Sequence, residues 1–167
     1  MKVLVALASK HGATDAIGKA IADVIRDAGL EVGCHVPSDV ATLDGYDAVI
    51  LGSAVYAGRW LEPARTFADR HAIALTERPV WLVSSGPIGD PPKPEGDLPE
   101  VEALAARIGA QGHRSFAGRL DRRSLGFFER TIVSALRAPD GDFRPWTSIR
   151  AWADAIAAQL TQKEVPA

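Results

Sequence analysis

Three short polar segments, rich in serine and glycine, interrupt the apolar stretches of this 167-residue sequence. The first is 9–14 (SKHGAT), the second begins at Ser53 (SAVYAGRW), and the third begins at Ser84 (SSGPIGDPP). Each follows a run of apolar residues that predicts a buried strand. Because the carboxyl ends of parallel strands share one edge of a sheet, one small ligand can contact all three segments.

The first segment has the chemistry of a phosphate site. Gly12 lets the backbone approach an anion closely, and the hydroxyls of Ser9 and Thr14 can donate hydrogen bonds. The apolar residues after this segment recur at 3.6-residue spacing, which predicts a helix. The first amides and the dipole of that helix stabilise a bound anion by about 0.3–1 kcal/mol. The alternative is a plain strand-to-helix turn capped by Thr14.

Other phosphate and nucleophile motifs are absent from the sequence. It contains no G-x-x-x-x-G-K-[ST] loop, no G-x-G-x-x-G after the first strand and no G-x-S-x-G elbow. The first strand does not end in the carboxylate pair of a phospho-acceptor domain. These absences argue against P-loop enzymes, dinucleotide-binding domains and α/β-hydrolases.

The elements that must position these segments alternate between strand and helix. Strands are predicted at 2–8, 30–36, 48–53, 79–84 and 112–120, with helices between 14 and Gly29 and at 61–76, 99–109 and 147–160. Residues 54–60 and 86–99 are predicted loops. Strands that are apolar on both faces indicate a parallel sheet between two helical layers. We predict one α/β domain over 1–167, a three-layer fold with a five-stranded parallel sheet in the order 2-1-3-4-5, and a Rossmann domain as the competing topology.

Composition restricts the function further. Lys and Arg number 19 and Asp and Glu 21, so the chain lacks the basic excess typical of nucleic-acid binding. The single cysteine, Cys34, excludes an internal disulfide and is predicted to be a small buried side chain. The four histidines lack ligand spacing, so no metal site is predicted. No apolar run reaches the roughly 18 residues of a membrane span, and we expect a cytoplasmic protein.

The first segment resembles the phosphate loop of the flavodoxin family, T/S-x-T-G-x-T, except that His11 replaces the central threonine. The resemblance covers essentially the whole chain. It implies a flavodoxin-like fold that binds the phosphate of FMN at 9–14, with the loops at 53–60 and 84–90 flanking the isoalloxazine. The stretches GSAVYAGRW (52–60), DRRSLGFFER (121–130) and DFRPW (142–146) resemble the branch that contains menaquinone-dependent protoporphyrinogen IX dehydrogenase.

The resemblance also implies a set of cofactor contacts. They are Ser9, Lys10, His11, Gly12, Ala13 and Thr14 in the first segment, Ser53, Ala54, Val55, Tyr56, Ala57 and Gly58 in the second, and Ser84, Ser85, Gly86 and Pro87 in the third. Tyr56 is the expected ring contact, because the third segment lacks the tyrosine that many flavodoxins stack there. No catalytic acid or base is predicted, since flavin chemistry needs mainly position and electrostatics from the protein.

Residues 121–139 form an additional segment that a minimal five-stranded fold does not need. Leu125, Phe128, Ile132 and Leu136 make an apolar stripe surrounded by arginines, which predicts an amphipathic helix. It could pack on its own sheet or on a second subunit in a homodimer. It could equally be a lid, a substrate site or a peripheral contact with the inner face of the membrane.

Two functions therefore remain open. The first is an FMN-dependent oxidoreductase that passes electrons from an organic substrate to a quinone or another acceptor. The second is an electron shuttle between protein redox partners. The segment 121–139 and a net charge of only −2 favour the first, because electron-shuttling flavodoxins are typically more acidic.

Overall fold

A computed structural model of the chain describes residues 1–86, 98–121, 123, 125–135 and 140–163. The strands are β1 (Lys2–Ala8), β2 (Glu31–His35), β3 (Ala48–Tyr56), β4 (Arg59–Trp60), β5 (Val80–Ser85), β6 (Gly112–Phe116), β7 (Arg119–Leu120) and β8 (Gly141–Asp142). The helices are α1 (Ala13–Asp27), α2 (Glu62–Arg70), α3 (Ala72–Thr76), α4 (Pro99–Ile108), α5 (Phe127–Ala135) and α6 (Trp146–Lys163), and Pro37–Asp39 forms one turn of 3₁₀ helix.

The five long strands form a parallel sheet in the order β2-β1-β3-β5-β6. When only these five strands are numbered along the chain, this is the predicted order 2-1-3-4-5. The predicted α/β fold is therefore confirmed. The order reverses at β1 and β3, which lie side by side at the centre. In folds of this kind the crevice beyond the carboxyl ends at that reversal is where ligands bind.

Helices cover both faces of the sheet because its central strands, β1, β3 and β5, are apolar on both sides. Along β1, Val3, Val5 and Leu7 belong to the core under α1 and α6, whereas Leu4, Ala6 and Ala8 belong to the core under α2, α3 and α4. This alternation follows from the two-residue period of a strand. The α1 stripe Ile17, Ile21 and Ile25 is fully buried, as its 3.6-residue spacing predicts.

The predicted loop at 54–60 is instead a β-hairpin. β3 continues to Tyr56 and pairs with β4 in antiparallel register, Val55 with Trp60 and Tyr56 with Arg59. The turn residues Ala57 and Gly58 have φ of 49° and 72°. Two consecutive positive φ angles match the type I′ turn, whose twist suits a hairpin.

Two other predicted boundaries were wrong. The predicted helix 61–76 is interrupted at His71, whose ring packs 4.7 Å from that of Phe67 and whose Nε2 lies 3.4 Å from Val40 O. The predicted strand 112–120 ends at Phe116, because β7 pairs with β8 instead of continuing the sheet.

The predicted burial of Cys34 was also wrong. Cys34 is exposed because β2 is an edge strand.

The segment 121–139 contains a helix, α5, which begins two residues after Leu125 of the predicted stripe. Leu125 precedes the helix and is buried, while Phe127, at the start of α5, is 82% exposed. The side chains of Phe128 and Ile132, and all of Leu136, lie outside the described residues. Within the described part of the chain, no helix has the length and apolar character needed to cross a membrane.

Candidate functional site

The register of the sheet brings the three polar segments to one edge. Ala8 of β1 is paired with Ser53 of β3, and Ser53 is paired with Ser84 of β5. The three segments therefore leave the sheet from adjacent strands, as the sequence predicts. Of the third segment, Ser84, Ser85 and Gly86 are described, and the predicted contact Pro87 lies outside the described residues.

The first segment connects β1 to α1, and some of its hydrogen-bonding groups have no partner within the described part of the chain. Gly12 is the N-cap residue of α1, with φ 80° and ψ −10°, and no side chain caps the helix. Thr14 lies within the first turn and is buried, so it is not the cap. The Oγ atom of Ser9 is buried and has no hydrogen-bond partner among the residues that the structure describes. Such an unpaired group costs about 1–3 kcal/mol, which a ligand oxygen can offset.

Gly12 also leaves room above the helix terminus. A Cβ atom built at this position would have no heavy atom within 4 Å. The glycine is therefore required for its left-handed backbone conformation, and the space where its side chain would lie is open. Open space next to uncapped helix amides is the arrangement that binds a phosphate.

Side chains of the first segment contact Tyr56 in the second segment. Lys10 Nζ lies 4.9 Å from the centre of the Tyr56 ring, and the ring centres of His11 and Tyr56 are 6.3 Å apart. Burial, together with the negative charge of Glu129, raises the pKa of Tyr56 to about 12. The phenol is therefore neutral at physiological pH. The predicted contacts from two of the three segments thus lie close together.

The hydroxyls of Ser53 in the second segment and Ser84 in the third are occupied within the protein. Ser53 Oγ donates to Ala54 O (2.7 Å) and accepts from the Leu61 N–H (2.9 Å). Ser84 Oγ accepts from Trp60 Nε1 (2.8 Å) and lies 2.8 Å from His113 Nε2. These bonds tie β4 and β6 to the edge, so the two serines fix the positions of the segments.

Glu129 of α5 contacts the first segment, which the sequence analysis missed. Its Oε1 accepts a hydrogen bond from Lys10 Nζ and lies 3.4 Å from His11 Nε2. Its Oε2 accepts from the Gly126 N–H (2.9 Å). The hydrogen bond from Lys10, followed by the one from Gly126, lowers the pKa of Glu129 to about 2. The signal in the sequence that could have indicated this contact is an acidic residue within an arginine-rich segment.

Arg144, also missed, reaches the first segment from the opposite end of the sequence. Its Nη1 donates to Ala13 O (3.2 Å), while Nε and Nη2 donate to the two oxygens of Asp142 (2.8 and 2.6 Å). The side chain of Arg144 is only 8% exposed. No cluster of three or more metal-ligating side chains occurs among the described residues.

The comparisons with known proteins identify the family. Residues 4–144 match the model of the flavodoxin domain, so the chain belongs to the flavodoxin family. No curated protein matches the chain in sequence.

Solved structures share the fold at low sequence identity. A flavodoxin from the domain Archaea is 16% identical with a TM-score of 0.66, covering 96% of this chain and 99% of its own. Flavodoxin 2 from Bacillus cereus is 20% identical with a TM-score of 0.62, covering 98% and 99%. Rubredoxin oxygen:oxidoreductase from Desulfovibrio gigas is 14% identical with a TM-score of 0.70 and covers 99% of this chain, which matches 37% of that longer protein.

Proposed function

We propose that the chain is a single FMN-binding domain that acts as an FMN-dependent oxidoreductase. The observation that carries this proposal is the first segment. There the buried Ser9 hydroxyl, which has no partner among the described residues, lies in the loop before the uncapped helix α1. The open, left-handed position of Gly12 fits a phosphate at the same place. These features fit the phosphate end of FMN.

Each segment then has a defined part in binding. Ser9 Oγ and the first amides of α1 would donate hydrogen bonds to the phosphate, and Lys10 would supply positive charge beside it. Tyr56 and the main chain of 53–58 and 84–86 contact the isoalloxazine. Because Tyr56 stays neutral, it adds no negative charge beside the ring.

The chemistry that bound FMN supplies is hydride acceptance at the isoalloxazine and delivery of two electrons to an acceptor. The part of the protein would be to position the ring and to set the charge around it. We propose a reduced organic substrate as donor and a quinone, which becomes the quinol, as acceptor. A protoporphyrinogen IX dehydrogenase-like activity is the specific form of this proposal.

The contact between α5 and the first segment supports the function of an enzyme over that of an electron shuttle. Glu129 joins α5 to Lys10 and His11, so the additional segment lies beside the proposed phosphate site. Phe127 on the same helix is 82% exposed, and Arg123 and Arg130 nearby in sequence are also exposed. An apolar side chain among cations suits the surface of an anionic membrane, where quinones dissolve. We therefore propose a cytoplasmic protein that contacts the inner face of the membrane through α5.

The second candidate is a shuttle that carries electrons between protein partners. The flavodoxin family match and the flavodoxins that share the whole fold support it. In this case α5 would be a docking surface for a redox protein or for a second copy of the chain.

The first experiment measures flavin binding. Flavin-free protein is titrated with FMN and with riboflavin, which lacks the phosphate, and quenching of flavin fluorescence is followed. We expect FMN to bind at least about tenfold more tightly, the factor that corresponds to one charge-assisted hydrogen bond. Equal affinities would exclude the first segment as a phosphate site.

The second experiment separates the candidate functions. FMN-loaded protein is assayed for oxidation of protoporphyrinogen IX with a quinone as acceptor, and for quinone reduction by a nicotinamide donor. Turnover in the first assay supports the specific proposal, whereas turnover in the second alone assigns a quinone reductase. If both assays fail while FMN binds, the shuttle remains.

The third experiment tests α5 with two matched variants. Phe127→Glu and Ile73→Glu each place a carboxylate at a strongly exposed apolar position, 82% and 79% exposed, on α5 and on α3. We expect only Phe127→Glu to reduce co-sedimentation with anionic liposomes and turnover with a membrane quinone, with FMN retained. Equal effects of the two variants would contradict the proposal. A dimer that only Phe127→Glu dissociates would assign α5 to a subunit interface.

A further inference from the structure

The region after the fifth long strand builds a rigid support for one arginine. β8 pairs with β7, with Arg119 opposite Asp142, and the Phe143 N–H donates to Gly118 O (3.1 Å). These bonds fix Asp142 at the end of the sheet. Asp142 Oδ1 in turn accepts from the backbone N–H of Arg144 (3.1 Å).

The guanidinium of Arg144 is held on several sides. Two nitrogens form the bidentate pair with Asp142, and the cation lies 4.5 Å from the centre of the Trp146 ring. Pro145 restricts the backbone of the residue before it to an extended conformation. A planar guanidinium fixed in this way has little freedom to lose on donating its remaining hydrogen bond.

That remaining hydrogen bond, from Nη1, ends on Ala13 O (3.2 Å). Ala13 is the first residue of α1, directly after Gly12. The carbonyl of Ala13 and the N–H of Thr14 belong to one planar peptide unit and point in opposite directions. Holding the carbonyl therefore fixes the direction of the Thr14 N–H, which is one of the helix amides without a partner inside the helix.

We propose that Arg144 is a positioning residue of the phosphate site, which orients the Thr14 amide toward the phosphate by holding the Ala13 carbonyl. The inference rests on the proposed FMN site and adds a residue that no sequence motif assigns to it. Arg144 acts through the Ala13–Thr14 peptide, and it is nearly buried, so direct contact with the ligand is not part of the role.

The test compares Arg144→Gln with Arg150→Gln, which removes the same charge from an exposed position on α6. Affinities for FMN and riboflavin are measured by fluorescence quenching, and stability by thermal unfolding. We expect Arg144→Gln to raise the Kd for FMN about tenfold while the Kd for riboflavin changes less than about twofold. Arg150→Gln should change neither value.

Two results would overturn the proposal. An equal loss of FMN and riboflavin affinity would assign Arg144 a general structural role. Full recovery of FMN affinity in Arg144→Lys, which keeps the charge but lacks the planar fork, would assign the effect to charge alone. If Arg144→Gln does not fold, Asp142→Asn keeps the arginine and removes one charge from its support, and the same FMN-specific loss is expected.

A further measurement does not depend on FMN. In flavin-free protein, the backbone amide resonance of Thr14 should broaden or shift in Arg144→Gln and remain unchanged in Arg150→Gln. An unchanged Thr14 resonance in both variants would refute the positioning role. If wild-type protein does not prefer FMN over riboflavin, the proposed phosphate site fails, and the Thr14 resonance still tests what Arg144 does.

Discussion

Replacing Gly12 with alanine tests the phosphate site, and Gly29→Ala is its matched control. The two glycines flank α1 at opposite ends, with φ of 80° and 87°. A Cβ built at either position would have no heavy atom within 4 Å. The two substitutions therefore introduce the same strain without a clash, and the length of the helix, roughly 22 Å, separates them.

The loss of stability is expected to be similar in both variants. An L-residue in the left-handed region costs about 1–2 kcal/mol. For a domain of this size, 1 kcal/mol corresponds to about 2–4 °C in Tm. Each variant should therefore melt roughly 2–8 °C below the wild type, which differential scanning calorimetry measures.

The affinities are expected to differ. A methyl group at Gly12 occupies the open space above the uncapped helix terminus, so the phosphate cannot reach the first amides. Losing one charge-assisted hydrogen bond raises the Kd at least about tenfold. We expect this loss for FMN in Gly12→Ala, no comparable loss for riboflavin, and less than about a twofold change in Gly29→Ala. Equal FMN affinities in the two variants would refute the argument.

Three further outcomes are expected. Gly52→Ala should destabilise the fold by about 3 kcal/mol, measured by urea unfolding. The new Cβ would lie 2.4 Å from Val83 Cγ1 and 2.5 Å from Val83 O. A loss of stability below about 1 kcal/mol would contradict this prediction. Glu129→Gln tests whether the ionised carboxylate of Glu129 stabilises the fold. The pKa of Glu129 is lowered from 4.5 to about 2, so this stabilisation is full above pH 4.5 and is lost as the pH falls toward 2. The difference in urea midpoint between wild type and Glu129→Gln should therefore shrink over that range, and a constant difference would show that the ion pair is not responsible. Trp60→Phe should cost about 0.5–1.5 kcal/mol by removing one of the two hydrogen-bond partners of buried Ser84, and a double-mutant cycle with Ser84→Ala should show coupling between the two.

Local patterns in the sequence determine most of the sheet. The apolar run Lys2–Ala8 was predicted as a strand with the bounds that the structure has. Strands that are apolar on both faces are buried between two layers of helices. The apolar pattern of the sequence therefore predicted a parallel sheet. The order also placed the three polar segments at one edge, and the register of Ala8, Ser53 and Ser84 confirms it.

Local patterns did not determine the second segment. Its hairpin needs a positive φ at Ala57, where the sequence has alanine instead of the asparagine or aspartate that marks such turns. Ser53 and Ser84 were predicted as cofactor contacts, and the sequence did not indicate that the hairpin brings Trp60 and the Leu61 amide to their hydroxyls. Side-chain partners of this kind depend on the packing of neighbouring elements.

The sequence by itself therefore determined the fold and the edge of the sheet at which the three polar segments meet. Only the tertiary structure placed Glu129 beside Lys10 and Arg144 beside Ala13, contacts that span 119 and 131 positions of the chain. The physical reason is that helix and strand periodicity reports burial within one element and carries no information about which distant residue packs on it. Those two contacts formed because β7, β8 and α5 fold back over the end of the sheet where the first segment lies.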